Sequence, residues 1–346
     1  MRSLLILALL LAASPALPQA DAPKPVKVFI LLGQSNMVGL GKVTGPAGSL
    51  EHAVKTKKLY PYLVDAQGAW KAREDVRHVR VMVGRNGAMQ IFNDEWLKVS
   101  GRTLGPELGI GHALGDAVPE TVMLLKSCIG NRSLGWDLLP PGSGRTLLEG
   151  KVHAAYKEKP DVWPADPMKG VETPPPAAWL DKKGKPIEWY AGKQYDDDVA
   201  NAKKILAEFP KHCPGAQSYE VAGFFFWQGE KDGGSAGHAA AYEVNLVRFI
   251  KQLRKDFEAP QAKFVLATLG EATKGSSGNG GRILDAQLAV DGAYGKYPEF
   301  KGNVATVYAH PLSKGGSGNS HYNGNAETYM DVGEAMGRAM VGLLKE

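Results

Sequence analysis

Ser35 stands in Gly33-Gln34-Ser35-Asn36-Met37, directly after the apolar run over residues 26–32. A single serine in a loop is usually a turn former, but three distant segments supply matching chemistry. Ser127-Cys128-Ile129-Gly130-Asn131-Arg132 closes a second apolar run and leads to Gly135-Trp136. Trp227-Gln228-Gly229-Glu230-Lys231-Asp232 closes a third, and Asn319-Ser320-His321-Tyr322-Asn323 precedes the last amphipathic stretch. A hydroxyl, an imidazole and glycine turns rich in N–H groups are the parts of nucleophilic acyl transfer. The base takes the serine proton, and fixed donors hold the oxyanion that develops. Such parts suit ester chemistry in general.

These groups can meet only if the elements before them end on one edge. Apolar runs at 26–32, 78–83, 121–127, 220–227, 263–269 and 303–308 read as strands, continuous rather than alternating, as in a sheet covered on both faces. Between them, Tyr195, Val199, Ala202, Ile205 and Phe209 keep helical spacing, as do Tyr242, Leu246, Phe249, Ile250, Leu253 and Phe257. The stretch 325–344 carries Met330, Met336, Met340 and Leu343 on one side, with Asn325 as its N-cap. Strand–helix alternation of this kind predicts an α/β fold, a three-layer α/β/α sandwich around a mostly parallel sheet. Ligands bind such sheets outside the carboxyl ends of the strands. Residues 137–194, rich in Pro, Gly and Trp, break the rhythm and read as a long irregular insertion on that edge.

Residues 1–20, MRSLLILALLLAASPALPQA, have the layout of a secretory signal peptide, which leaves residues 21–346 as one domain carrying the insertion. The expected destination is export, to periplasm or medium, with no stable membrane association after cleavage. The net charge of +5 is spread over short lysine clusters without interleaved aromatics, so no nucleic-acid stripe is expected. Two cysteines, Cys128 and Cys213, fit an exported chain without demanding a disulfide. Gly39-Leu40-Gly41-Lys42 lacks the Gly and Ser/Thr positions of a phosphate-binding loop, and the eight histidines contain no H-E-x-x-H pair. Nothing in the serine context matches G-x-S-x-G. Oligomeric state is not encoded in these patterns.

Taken together, G-Q-S-N-M after the first strand, a glycine loop with a downstream Trp, W-Q-G-E-x-D and a late His resemble the SGNH-hydrolase superfamily. Within it the chain is similar to the sialate O-acetylesterase-like and acetylxylan-esterase branch, carbohydrate esterase family six, from residue 26 onward. The resemblance implies a flavodoxin-like sandwich and removal of O-acetyl groups from carbohydrate, with sialic acid or xylan-type glycans as substrates. It implies Ser35 as nucleophile, His321 as general base, and an oxyanion hole made by the N–H groups of Ser35 and Gly130 with the Gln228 amide. It implies an acyl-serine intermediate and no metal or organic cofactor.

The superfamily's Asp, three residues before the His, is replaced here by Gly318. Glu230 and Asp232 are the carboxylates on the expected edge, and Glu230 is the candidate to orient His321. Asn131, Arg132 and Trp136 are candidate substrate contacts beside the nucleophile. Two other functions fit the same residues: a lipase- or thioesterase-like hydrolase, and a carbohydrate-binding protein without turnover, for which Gly318 is the argument.

Overall fold

The computed structural model describes residues 24–84, 87–316 and 321–346. The expected leader over 1–20 and the Gly318 position lie outside them. A seven-stranded sheet forms the middle layer. Its strands are β1 (Val26–Gly33), β2 (Arg73–Val83), β3 (Met89–Leu97), β4 (Val122–Ser127), β5 (Tyr219–Trp227), β6 (Lys263–Ala267) and β7 (Val304–Val307). Their order is β7-β6-β5-β1-β4-β2-β3. All neighbours pair in parallel except β2 and β3, whose antiparallel ladder closes one edge.

β1 shows why its residues give a central strand. Val28, Ile30 and Leu32 point to one face and Phe29 and Leu31 to the other, and all five are buried. Alternate side chains of a strand face opposite ways, so a strand covered on both sides must be apolar throughout. The first face is covered by α2 (Lys193–Ala207), α3 (Ala236–Asp256) and α4 (Gly278–Ala289). The second is covered by α1 (Glu107–Gly115) and α5 (Ala326–Leu344). The three-layer sandwich read from the sequence is the observed fold. Met330, Met336 and Met340 of α5 lie in the core, and the Asn325 side chain caps the helix by accepting the Thr328 N–H at 3.1 Å.

Three elements differ from the sequence reading. β3 is absent from the strands that the sequence predicts: its residues are largely exposed and mixed in polarity, as an edge strand permits. The helix α4 starts in Gly-Asn-Gly-Gly, a composition that masks its later apolar turns. The stretch 137–194 is not wholly irregular: Thr146–Leu148, Lys151–His153 and Val162–Pro164 form a small antiparallel sheet. Trp136, Leu139, Val152, Trp163 and Ala191 make a separate apolar cluster beneath it. Cys128 and Cys213 are both buried free thiols. No helix among the described residues is long and apolar enough to cross a membrane.

Candidate active site

The carboxyl ends of β4, β1 and β5 lie side by side, so the loops that follow them converge. β1 ends at Gly33, where φ is +144° and a Cβ would fall 2.3 Å from the Trp227 carbonyl oxygen. Only glycine allows so close an approach in that conformation. The chain then enters a single helical turn, Ser35–Val38, with Ser35 at its start.

This turn is clamped at both ends. Lys126, fully buried on β4, donates to the carbonyls of Met37 and Val38, each at 3.0 Å, and to Glu107 Oε2 at 2.6 Å. The ammonium thereby satisfies carbonyls that the short turn leaves without partners. Glu107, in the first turn of α1, is the counter-charge of this lysine and also accepts the Gly105 N–H at 3.0 Å. Burial alone would raise its pKa, but the Lys126 charge, a smaller contribution from His78 and these hydrogen bonds outweigh it and hold the carboxyl at about 2. At the other end, Glu230 accepts from Asn36 Nδ2 at 2.6 Å and from the Gln34 side-chain amide. The Tyr329 hydroxyl of α5 donates to Asn36 Oδ1 at 2.9 Å. The residues on either side of the serine are thus held by side chains from β5 and α5.

His321 Nε2 lies 2.8 Å from Ser35 Oγ, across 286 residues of sequence. The next residue sets its position. Tyr322 is buried, stacks on Trp227 with ring centroids 6.0 Å apart, and meets the Tyr329 ring edge-on at 6.0 Å. Tyr322 and Asn323 both have positive φ, 55° and 51°. Packing around the Tyr322 ring holds this uncommon backbone, which carries His321 to the serine.

Gly130 approaches from the opposite side. A Cβ there would sit 3.5 Å from Ser35 Cβ, so its backbone lies against the serine. Its loop is held by Asp232, a buried carboxylate that accepts the N–H groups of Leu134 and Gly135, both at 2.8 Å, and the Gln228 amide at 2.5 Å. Burial still raises the Asp232 pKa, against those hydrogen bonds.

The other expected site residues are engaged within the protein to different degrees. Gln228 is fully buried: its amide N–H groups go to Asp232 and the Arg132 carbonyl (2.9 Å), and its oxygen accepts from Tyr242 (2.9 Å). An amide so engaged braces the loop and has no N–H left for an oxyanion. Glu230 sets one carboxylate oxygen on Gln34 and the other on Asn36, and so braces the turn that carries Ser35. Burial, as the main cause, pushes its pKa up to about 7. Arg132 turns into the protein, with its guanidinium 4.6 Å above the Trp189 ring and Nε donating to Gln194 at 3.2 Å. Trp136 is only 7% exposed, inside the apolar cluster of the 137–194 segment. Of the three candidate substrate contacts, Asn131 alone lines the cleft.

That cleft has a volume of about 500 Å³ and is lined by Ser35, His321, Gly130, Asn131, Glu230 and Lys231, among others. Its size suits a small sugar. A cavity of about 560 Å³ lies elsewhere, between the start of β7 and the end of α5, but brings no nucleophile and base together.

The sandwich thus brings a serine and a histidine within hydrogen-bond reach in a cleft at its strand edge. Residues 180–342 match the family described as carbohydrate esterase, sialic acid-specific acetylesterase. The matched part of the chain, which carries Glu230 and His321, is similar to that carbohydrate esterase family. A solved protein from Arabidopsis thaliana, 16% identical, aligns over 92% of this chain and 98% of its own with a TM-score of 0.50, a likeness of fold. A carbohydrate acetylesterase from Xanthomonas citri is 13% identical over 92% of this chain and 57% of its own, with a TM-score of 0.49. NanS is 13% identical over 72% of this chain and 69% of its own, with a TM-score of 0.36. No curated protein sequence matches the chain.

Proposed function

We propose that the chain is an exported serine esterase that deacetylates sialic acid or xylan-type glycans through an acyl-serine intermediate. The observation that carries this reading is the 2.8 Å contact between His321 Nε2 and Ser35 Oγ in a cleft where Gly130 lies against the serine. His321 takes the Ser35 proton as Oγ attacks the acetyl carbonyl, then returns it to the sugar oxygen as the C–O bond breaks. Water, deprotonated by the same imidazole, adds to the acetyl-serine and releases acetate and free Ser35. The Ser35 N–H, at the start of a helical turn where amides lack intrahelical partners, and the Gly130 N–H hold the oxyanion. Asn131, next in the chain and lining the same cleft, takes the third-donor place expected of Gln228. The leader-like composition of residues 1–20 supports export, with residues 21–346 acting as one domain.

The test is acetate release from acetylated xylan and from O-acetylated sialic acid, comparing the protein with Ser35→Ala. Release that disappears in the variant supports the reading, and the better substrate identifies the glycan class. No release from either, with a short synthetic acyl ester also untouched, would turn the assignment to a carbohydrate-binding protein.

A further inference from the structure

We propose that His153, Asp161 and His238 form a divalent-metal site of the zinc class, which staples the 137–194 segment to α3 beside the catalytic loop. Each residue offers one ligand atom, and these atoms all lie within 4.8 Å of one another. Two imidazole nitrogens and one carboxylate oxygen form a donor set that zinc takes, with water as its usual fourth ligand. A tetrahedral zinc with bonds of about 2.0–2.1 Å holds its ligand atoms roughly 3.3 Å apart. His238 Nε2 and Asp161 Oδ1, now hydrogen-bonded at 2.8 Å, would open by about half an ångström, and His153 would close in.

The surroundings are already shaped for this. His153 Nδ1 is buried and has no hydrogen-bond partner among the described residues. A polar nitrogen left in that state carries a desolvation cost that a ligated ion would remove. His153 and Asp161 sit at the same end of a paired hairpin, where the Ala154 N–H donates to the Asp161 carbonyl at 3.0 Å. The ring of His153 fits only because residue 237 is glycine: a Cβ there would lie 2.0 Å from Nε2. His238 in turn packs against Gly135, where a Cβ would fall 2.5 Å from its Cγ. An ion here would tie the small sheet to the stretch that Asp232 holds, and thus to the loop of Gly130 and Asn131. Its role is positional; the acyl transfer does not pass through it.

The experiment uses the full chain, stripped with chelator and titrated with Co²⁺, whose visible d–d bands report tetrahedral ligation. One Co²⁺ per chain, displaced by Zn²⁺, is expected, together with a higher melting temperature in Zn²⁺. His153→Ala and Asp161→Asn should each weaken binding about tenfold or more and abolish the melting shift. Absence of the d–d bands, or equal affinity in the variants, would overturn the site and leave adventitious surface binding only. If His153→Ala does not fold, Asp161→Asn carries the same test. The readout is independent of turnover, so it stands or falls apart from the esterase reading.

Discussion

Lys126→Met tests whether the buried ion pair holds the nucleophile turn. The substitution removes an ammonium that serves Glu107, Met37 O and Val38 O at once. It leaves the Glu107 carboxylate buried without its counter-charge and two carbonyls without donors. Breaking a buried pair from one side costs about 3–5 kcal/mol, a large part of the roughly 5–15 kcal/mol by which domains are stable. Glu107→Gln should cost a similar amount, since it strands the lysine instead. The double variant removes both charges and should recover about 2 kcal/mol or more of the summed single losses. Urea unfolding of the four proteins gives the coupling directly. A pH series adds a second reading. With the Glu107 pKa held at about 2 against 4.5 unfolded, its stabilisation is complete above pH 4.5 and is lost as pH falls toward 2. That acid limb should be absent in Glu107→Gln. Single losses that add to within about 0.5 kcal/mol would refute the argument, and so would an unchanged acid limb.

Other outcomes are expected from the same contacts. Asn131→Ala should lower kcat by about 10²–10³-fold with only a small drop in melting temperature from the positive φ of 58° at this position, and retained turnover would remove it from the oxyanion hole. Gln228→Ala strands Asp232, the Arg132 carbonyl and the Tyr242 hydroxyl, so a loss of about 1–3 kcal/mol or more in stability is expected. Turnover lost at full stability would instead restore Gln228 as a direct donor. Because the folded Glu230 pKa is raised to about 7 from 4.5, the folded state binds the extra proton and stability falls as pH rises through that window. Glu230→Gln should flatten this fall in melts between pH 4.5 and 8, and an unaltered slope would place the titration elsewhere.

Much of this was legible in the chain. Ser35 and His321 lie in short motifs flanking well-marked elements, and β1 declares itself because a strand buried on both faces must be apolar at every position. The braces were hidden because their meaning lies in long-range pairing. Nothing local distinguishes Glu230, which grips Asn36 194 residues away, from an acid aimed at His321. Gln228 and Gly130 stand in equally suggestive loops, yet the Gln228 amide N–H groups are taken by Asp232 and the Arg132 carbonyl, and hydrogen-bond accounting needs coordinates. Trp136 looked like a sugar platform because burial of an aromatic cannot be read from a proline-rich segment with no periodicity. His153, Asp161 and His238 come from two elements packed together by the fold, with no spacing to betray them.

The 286 residues between Ser35 and His321 also bear on how the protein comes to life. Ser35 follows β1, and that strand is central: both its neighbours, β4 and β5, come much later in the chain. A parallel sheet assembled from so many remote pairings has high contact order and forms slowly. Ser35 therefore meets His321 only once α5 docks and Tyr322 packs against Trp227 and Tyr329. On the proposed mechanism, a nascent or C-terminally clipped chain is chemically silent, and turnover reports completed folding.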